Sequence, residues 1–431
     1  MIVKPSSPPF RPVLSIGLLC LAGVAQAATY YVSPAGSDSS PGSLSAPFAT
    51  LQKAANVANP GDTIYMRGGT YVLNDSAVQI GRSGASGSPI TVINYPGETP
   101  VLDGINITTS YRSAIQLDNA SWWHIQGLEI KNAAAMGIYI NSSSSNITIE
   151  RCNLHHNVRI QGSGAGIQIN STAGGNNLIL DNDAHHNGIN SVTGRMPSST
   201  GGDGIGDSST ARGNVIRGNR VWRNADDGID LWGAYGVLVE SNWSWENGKY
   251  DDGTLTTGNG TGFKLGGATA GDGAHTVQLN MAWSNSHNGF DANSADLPMN
   301  VYNNTSYNNG GSDYHFYYGS VAYVLKNNIA YLAGLLPADM GPSTLHSFNS
   351  WDLPVTVSGA DFVSLDYSGA AGPRSGDGSL PNIAFLQLAP GSDLVGKGVD
   401  VGLPFNGSAP DLGAYRLSTL PAPTNLEVIA Q

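Results

Sequence analysis

Residues 137–157 read GIYINSSSSNITIERCNLHHN, residues 166–187 read GIQINSTAGGNNLILDNDAHHN, and residues 228–247 read GIDLWGAYGVLVESNWSWEN. Each opens on Gly and an aliphatic residue, passes a polar turn, runs through a β-branched stretch and closes on two marked positions five residues apart. The first of those positions is Cys152, Asn182 or Asn242, and it recurs as Asn219, Asn280, Asn304 and Asn328. The steps 219 to 242, 280 to 304 and 304 to 328 are 23 or 24 residues, and the longer steps contain two insertions, 187–202 and 248–260. Self-similarity at such a period is the signature of a solenoid.

A repeat of this length holds three short strands and three turns, one coil of a parallel β-helix that rises by the inter-strand spacing of about 4.8 Å. Asn stacked at one turn would form an amide ladder, which satisfies a polar side chain pointing inward. A leucine-rich horseshoe would need a regular Leu framework, which is absent. The expected fold is therefore all-β: a right-handed parallel β-helix of about ten coils, its hand given by the crossover rule. Composition agrees, since 56 Gly among 431 residues and only 12% charged residues favour turns and short strands over long helices.

Solenoid ends need caps. Residues 46–59, APFATLQKAANVAN, place Phe48, Leu51, Ala55 and Ala58 on one helical face before Pro60-Gly61, and predict a capping helix at the N-terminal mouth. From about Leu335 the Asn rhythm is lost and the chain becomes loop-rich. Residues 28–417 are expected to form one catalytic domain, with 418–431 a linker or tail. Ahead of it, Lys4 and Arg11 precede an apolar run, 13–24, and Ala25-Gln26-Ala27 supplies a cleavage pattern, so 1–27 reads as an export signal. The apolar run is too short to span a bilayer. Cys20 lies within the signal, which leaves Cys152 without an internal disulfide partner. Cys152 occupies a position that other coils fill with Asn and is expected to be a buried core residue.

Function is concentrated in GGDGIGD at 201–207, ADDGIDLWG at 225–233 and TGFKLGG at 261–267. Aligning Gly204, Gly228 and Gly262 puts Asp203 and Asp227 in one column, and Gly206, Asp230 and Lys264 in the column two residues on. If the repeats stack, Asp203, Asp226, Asp227 and Asp230 crowd one patch beside Lys264. Carboxylates at strand spacing repel one another, so the cluster suggests a hard cation with oxygen ligands, calcium, and an adjacent lysine base. The bland alternatives are capping or solvated aspartates and a lysine that merely forms a salt bridge. Asp291 falls in the same column and is a candidate anchor for Lys264. His155-His156 and His185-His186 stack as pairs, for which a polar stack is sufficient explanation and a metal is the rival. Asp251 and Asp252, in the second insertion, are expected to be solvated.

These motifs resemble family 9 of the polysaccharide lyases, the pectate lyase type. The opening TYYVSPAGSDSSPGSLSAPFATLQKAANVANPGDTIYMRGGTY at 29–71 is similar to the N-terminal signature of secreted β-helix proteins that act on polysaccharides. The resemblance covers roughly 28–417 and implies calcium ligation by Asp203, Asp226, Asp227 and Asp230, with a backbone carbonyl near Gly228 as a further ligand. It implies Lys264 as the base that removes the carbon-5 proton of a uronate while the carbon-4 oxygen departs, the adjacent carboxylate being neutralised by the cation. An alkaline pH optimum is expected, because Lys ordinarily titrates near 10.4 and must be neutral to act. The implied substrate is an acidic polysaccharide, pectate or polygalacturonate, processed outside the cell by a monomer. A net charge of -12 argues against nucleic acid as a partner. The competing classes are a β-helix glycoside hydrolase, whose Gly-His-Gly and Arg-Ile-Lys strings do not occur here, a lyase on another acidic glycan, and a non-catalytic glycan-binding β-helix.

Overall fold

The structure, a computed structural model, describes residues 27–415 apart from 76, 111, 161–163, 198–200 and 268–269, together with residue 1. The expected export segment, except residues 1 and 27, and the 418–431 tail lie outside the described residues.

Among the described residues, the strands form three sheets of twelve, ten and ten members, all paired in parallel, and neighbours in each sheet come from successive coils. This is the expected β-helix, with ten to twelve coils according to the sheet counted. Most strands are only two to five residues long. The interior is filled by like residues in rows. Under the second sheet, Ile205 and Ile229 are followed by Phe263, Phe290 and Tyr314, whose rings stack at 4.7 and 5.1 Å within 6° of parallel.

Two Asn ladders explain the repeat. In the first, Asn219 donates its backbone N–H and its Nδ2 to Asn242 Oδ1 at 2.9 and 3.0 Å, and Asn242 does the same to Asn280. The row continues through Asn304 and Asn328 to Asn349, one rung beyond the point where the sequence rhythm was expected to end. The second ladder, five residues on, joins Asn157, Asn187, Asn224, Asn247, Asn285 and Asn309. Each Asn follows a single left-handed residue that turns the chain between sheets. Arg151, Asp181, Ser241, Leu279, Asn303 and Asn327 have φ of 52–61°. His156, His186, Arg223, Glu246, Ser284 and Asn308 have φ of 49–55°. That conformation costs a non-glycine residue roughly 1–2 kcal/mol, and the buried amide bonds offset it.

The recurring Gly that opens each repeat belongs to the same device. A Cβ on Gly204, Gly228 or Gly262 would lie 2.8–2.9 Å from the amide nitrogen of Asn224, Asn247 or Asn285. The glycine row makes room for the second ladder. Cys152 takes an Asn position in the first ladder, donates its N–H to Asn182 Oδ1 at 2.9 Å, and is buried, with its thiol pushed up to about 12.

The capping helix is Leu51–Val57, half the expected length. Thr50 caps it by accepting from Lys53 N–H, and the turn before it is held by Asp38, which accepts from Ala49 and Thr50. Leu51 and Ala55 are buried as expected, and Phe48 and Ala58 are buried from just outside the helix.

At the other end, the chain after Asn349 runs back along the third sheet. Arg220 donates to the carbonyls of Ala370 and Gly372, and Arg374 pairs with Asp183 at 2.8 Å. This segment covers an outward stack of His185, Trp222, Trp245 and Trp283, with Tyr367 and Phe385 meeting Trp283 edge-on. The stack begins at His155, 5.0 Å from His185. His155 and His185 are thus the polar end of an aromatic row, while His156 and His186 stack on each other beside it at 5.3 Å, with burial holding His156 down at about 4. Among the described residues, no helix is long and apolar enough to cross a membrane.

Candidate active site

The second sheet carries the motif residues on its outward face. Strand Asp203–Asp207 pairs with Ile229–Asp230, which pairs with Phe263–Lys264, placing Gly206, Asp230 and Lys264 directly opposite one another. Alternation along a strand sends Ile205, Ile229 and Phe263 inward and their neighbours outward.

Asp203, Asp227 and Asp230 each offer an oxygen within 4.8 Å of the others. Lys264 Nζ donates to Asp227 Oδ2 at 3.1 Å and to Asp230 Oδ2 at 3.2 Å, with 9% of its side chain exposed. Every carboxylate is also pinned by a backbone amide: Asp203 Oδ1 by Asp227 N–H, Asp227 Oδ1 by Thr261 N–H, and Asp230 Oδ1 by Trp232 N–H. Asp226 lies on the same turn but outside the convergent trio. Its Oδ1 accepts from Asn259 N–H at 2.5 Å. That amide belongs to the second insertion, which is also tied down by Thr256 Oγ1 on the Ala225 carbonyl. Spacing alone did not reveal this role for the insertion.

Electrostatics follow from burial. Burial, then Asp226, pushes Asp227 up to about 8, and burial, then Asp226, Asp230 and Asp227, holds Asp203 well above the carboxylate range. Asp230 is raised by burial and partly relieved by Lys264. Burial pulls the Lys264 ammonium down, but Asp230, Asp227 and Asp203 outweigh it and hold it above its ordinary value. If all three carboxylates ionised, one ammonium would leave two negative charges uncompensated, which on top of burial is why the trio is pushed toward its protonated forms unless a cation joins it. An all-oxygen set of this size and charge fits a hard divalent cation such as calcium, whose oxygen ligands lie at about 2.3–2.6 Å. The Gly228 carbonyl, expected as a further ligand, accepts from Ile205 N–H at 3.0 Å in the sheet ladder.

Asp291 does occupy the position opposite Lys264 on the next strand. Its carboxylate, however, accepts from Asn288 Nδ2, Asn293 N–H and His315 Nδ1, while Lys264 turns the other way. The anchor for Lys264 is the Asp227–Asp230 pair, not Asp291, because two converging carboxylates outcompete one already held by three donors. Asp251 and Asp252 are exposed but paired rather than merely solvated: Asp251 with His186 and Arg223, Asp252 with Arg195. With Arg195 also over the Tyr250 ring at 4.5 Å, the two insertions interlock beside the acidic patch.

The Pel9A-like right-handed beta helix region family model matches residues 30–328. The chain belongs to this family. It is 33% identical over 413 residues to pectate lyase L of Dickeya chrysanthemi, covering 91% of each chain. Among solved structures, pectate lyase Pel9A superposes with a TM-score of 0.75 at 31% identity, over 91% of this chain and 97% of that one. A rhamnogalacturonan lyase follows with a TM-score of 0.70 at 27% identity, over 84% and 96%. Family membership brings the right-handed coil direction and the polysaccharide lyase type that the motifs resemble.

Proposed function

We propose that this chain is a secreted, monomeric, calcium-dependent pectate lyase that cleaves polygalacturonate by β-elimination, with Lys264 as general base. The observation that carries the reading is the convergence of Asp203, Asp227 and Asp230 on one another, with Lys264 paired to the latter two, at one outward patch of the second sheet. A non-catalytic β-helix that kept the aspartates for calcium would have no need of that lysine.

In the reaction, Lys264 takes the proton from carbon-5 of a uronate, the electrons of that C–H bond form the carbon-4–carbon-5 double bond, the carbon-4 oxygen leaves with the electrons of its bond and takes a proton from solvent, and a 4,5-unsaturated end remains. Calcium held by Asp203, Asp227 and Asp230, with Asp226 beside them, would neutralise the carboxylates that keep Lys264 protonated and withdraw charge from the substrate carboxylate next to carbon-5. With those carboxylates neutralised, burial of Lys264 would be left to favour its neutral form. The amides of Asp227, Thr261, Trp232 and Asn259 fix the carboxylates, so little reorganisation is needed as charge develops.

The likeness to a rhamnogalacturonan lyase favours a second reading, elimination within the rhamnogalacturonan backbone on the same site. One experiment tests both: ultraviolet absorbance of unsaturated product from polygalacturonate, rhamnogalacturonan and alginate, with calcium and with chelator. The expected result is product from polygalacturonate that disappears on chelation. New reducing ends without absorbance would mark a hydrolase, and no turnover of any polymer would favour a binding protein.

A further inference from the structure

Trp232 stands apart from the other tryptophans. Trp123, Trp243, Trp245 and Trp283 are buried, whereas Trp232 is 52% exposed. It follows Asp230 by two residues, so both face outward while Leu231 between them is fully buried. Its N–H holds Asp230 Oδ1 at 3.0 Å, and Lys264 Nζ lies 5.1 Å from its ring centroid. One face of the indole is seated on backbone. A Cβ on Gly267 would lie 2.5, 2.6 and 2.9 Å from indole Cδ2, Cγ and Cδ1, so only glycine leaves room for the ring to lie flat there. Gly267 is itself fixed by its N–H on Asp272 Oδ2 at 2.7 Å.

We propose that Trp232 is a stacking platform for one of the two sugars that flank the scissile bond, and that Gly267 is the seat that holds the platform flat. A large aromatic ring left half-exposed, with Gly267 packed against it and the Lys264 ammonium over it at 5.1 Å from the centroid, still presents apolar surface to solvent beside the acidic patch. The apolar face of a sugar ring, with hydroxyls confined to its rim, complements such a surface. At 5.1 Å from Lys264, no whole sugar fits between the ring and the base, so the occupant belongs to the reacting linkage. A chain of net charge -12 repels a polyanion, and an uncharged platform supplies affinity that does not depend on charge. This inference rests on the polyuronate reading above.

The test compares Trp232→Ala, Trp232→Phe and Gly267→Ala on polygalacturonate. Loss of a contact made equally in ground and transition states raises KM and spares kcat. Trp232→Ala and Gly267→Ala should each raise KM by about tenfold, Trp232→Phe should restore most of the loss, and the pH–rate profile should stay in place. A pH profile displaced in Trp232→Ala without a KM change would show that the ring merely shields Lys264, and would overturn the platform. In parallel, oligogalacturonide, rhamnogalacturonan and alginate oligomers are titrated into Lys264→Ala protein while tryptophan fluorescence is followed. A saturable change that vanishes with Trp232→Phe supports the platform, and no response to any oligomer overturns it. Failure of the lyase reading shows separately, as a parent enzyme without unsaturated product, and leaves the titration decisive for Trp232.

Discussion

Lys264 sits directly opposite Asp230 on the neighbouring strand, and its Nζ donates to Asp230 Oδ2 at 3.2 Å while also reaching Asp227 Oδ2. The base of the proposed reaction is therefore locked as an ammonium in the metal-free chain, and activity must rise with pH as the neutral amine becomes populated. Lys264→Ala should abolish formation of unsaturated product while oligogalacturonide and calcium binding persist. Lys264→Arg should be nearly as damaging, because a guanidinium keeps its proton. Steady-state rates across pH, with calorimetric calcium titration of both variants, check this. Near-parental turnover by Lys264→Ala would refute the base.

The same ion pairs set an expectation for stability. Without metal, Lys264 is the one cation that the trio of carboxylates contacts among the described residues, and removing one partner of a buried pair costs about 3–5 kcal/mol. Metal-free Lys264→Ala should melt well below the parent, and calcium should narrow the gap, since a ligand that binds only the native state stabilises it. Asp227→Asn, whose residue is fully buried between Thr261 N–H and Lys264, should instead raise the calcium concentration needed for half-maximal activity without collapsing the core. Thermal melts at graded calcium distinguish the two. An unchanged calcium requirement in Asp227→Asn would remove it from the ligand set.

The first Asn ladder should be the costliest row to break in its middle. Asn242 accepts from Asn219 and donates to Asn280 Oδ1 and the Ile216 carbonyl, all buried. Asn242→Ala would strand several groups at about 1–3 kcal/mol each. Asn349, the last rung, donates to the Leu325 carbonyl and partly exposed Asp352, so Asn349→Ala should cost less. Denaturant midpoints of the two variants give the comparison, and equal losses would show that the ladder is not what carries coil stability.

What could be read from the sequence was whatever repeats. Asn recurrence gave the coil length, and the Gly204–Gly228–Gly262 alignment put Asp230 opposite Lys264, as the strand register has it. Contacts made across the repeat were invisible. The hold of Asn259 on Asp226 comes from an insertion with no counterpart in other coils. The return of residues 350–415 over the tryptophan row joins partners such as Arg220 and Gly372, which lie 152 residues apart. Asp291 misled because register shows which residues are opposite, while side-chain direction depends on competing donors, here Asn288 and His315. The capping helix was overextended because apolar periodicity continues through Phe48, whereas Thr50 ends the helix by capping it.

The second ladder ends on an acid, and this predicts a pH effect away from the active site. Among the described residues no further Asn rung follows Asn309; Asn309 Nδ2 and Ser306 Oγ donate to Asp313 Oδ1 at 3.1 and 2.7 Å instead. Burial pushes Asp313 up to about 7, with Ser306, Asn309 and the backbone of Tyr331 only partly opposing it. A carboxyl whose folded value is raised binds its proton more tightly in the native state than in the unfolded chain. Its contribution to stability is full below the ordinary carboxylate range near 4 and is lost as pH rises through about 7. Asp313→Asn keeps an acceptor for Ser306 and Asn309 but cannot ionise. Relative to the parent, this variant should gain stability with rising pH, by an amount on the order of a few kcal/mol once pH is well above 7. Denaturant unfolding at several pH values on either side of 7, in calcium so that the acidic trio is held constant, measures the difference. A variant-minus-parent stability that stays flat across that window would mean that Asp313 is already ionised in the fold.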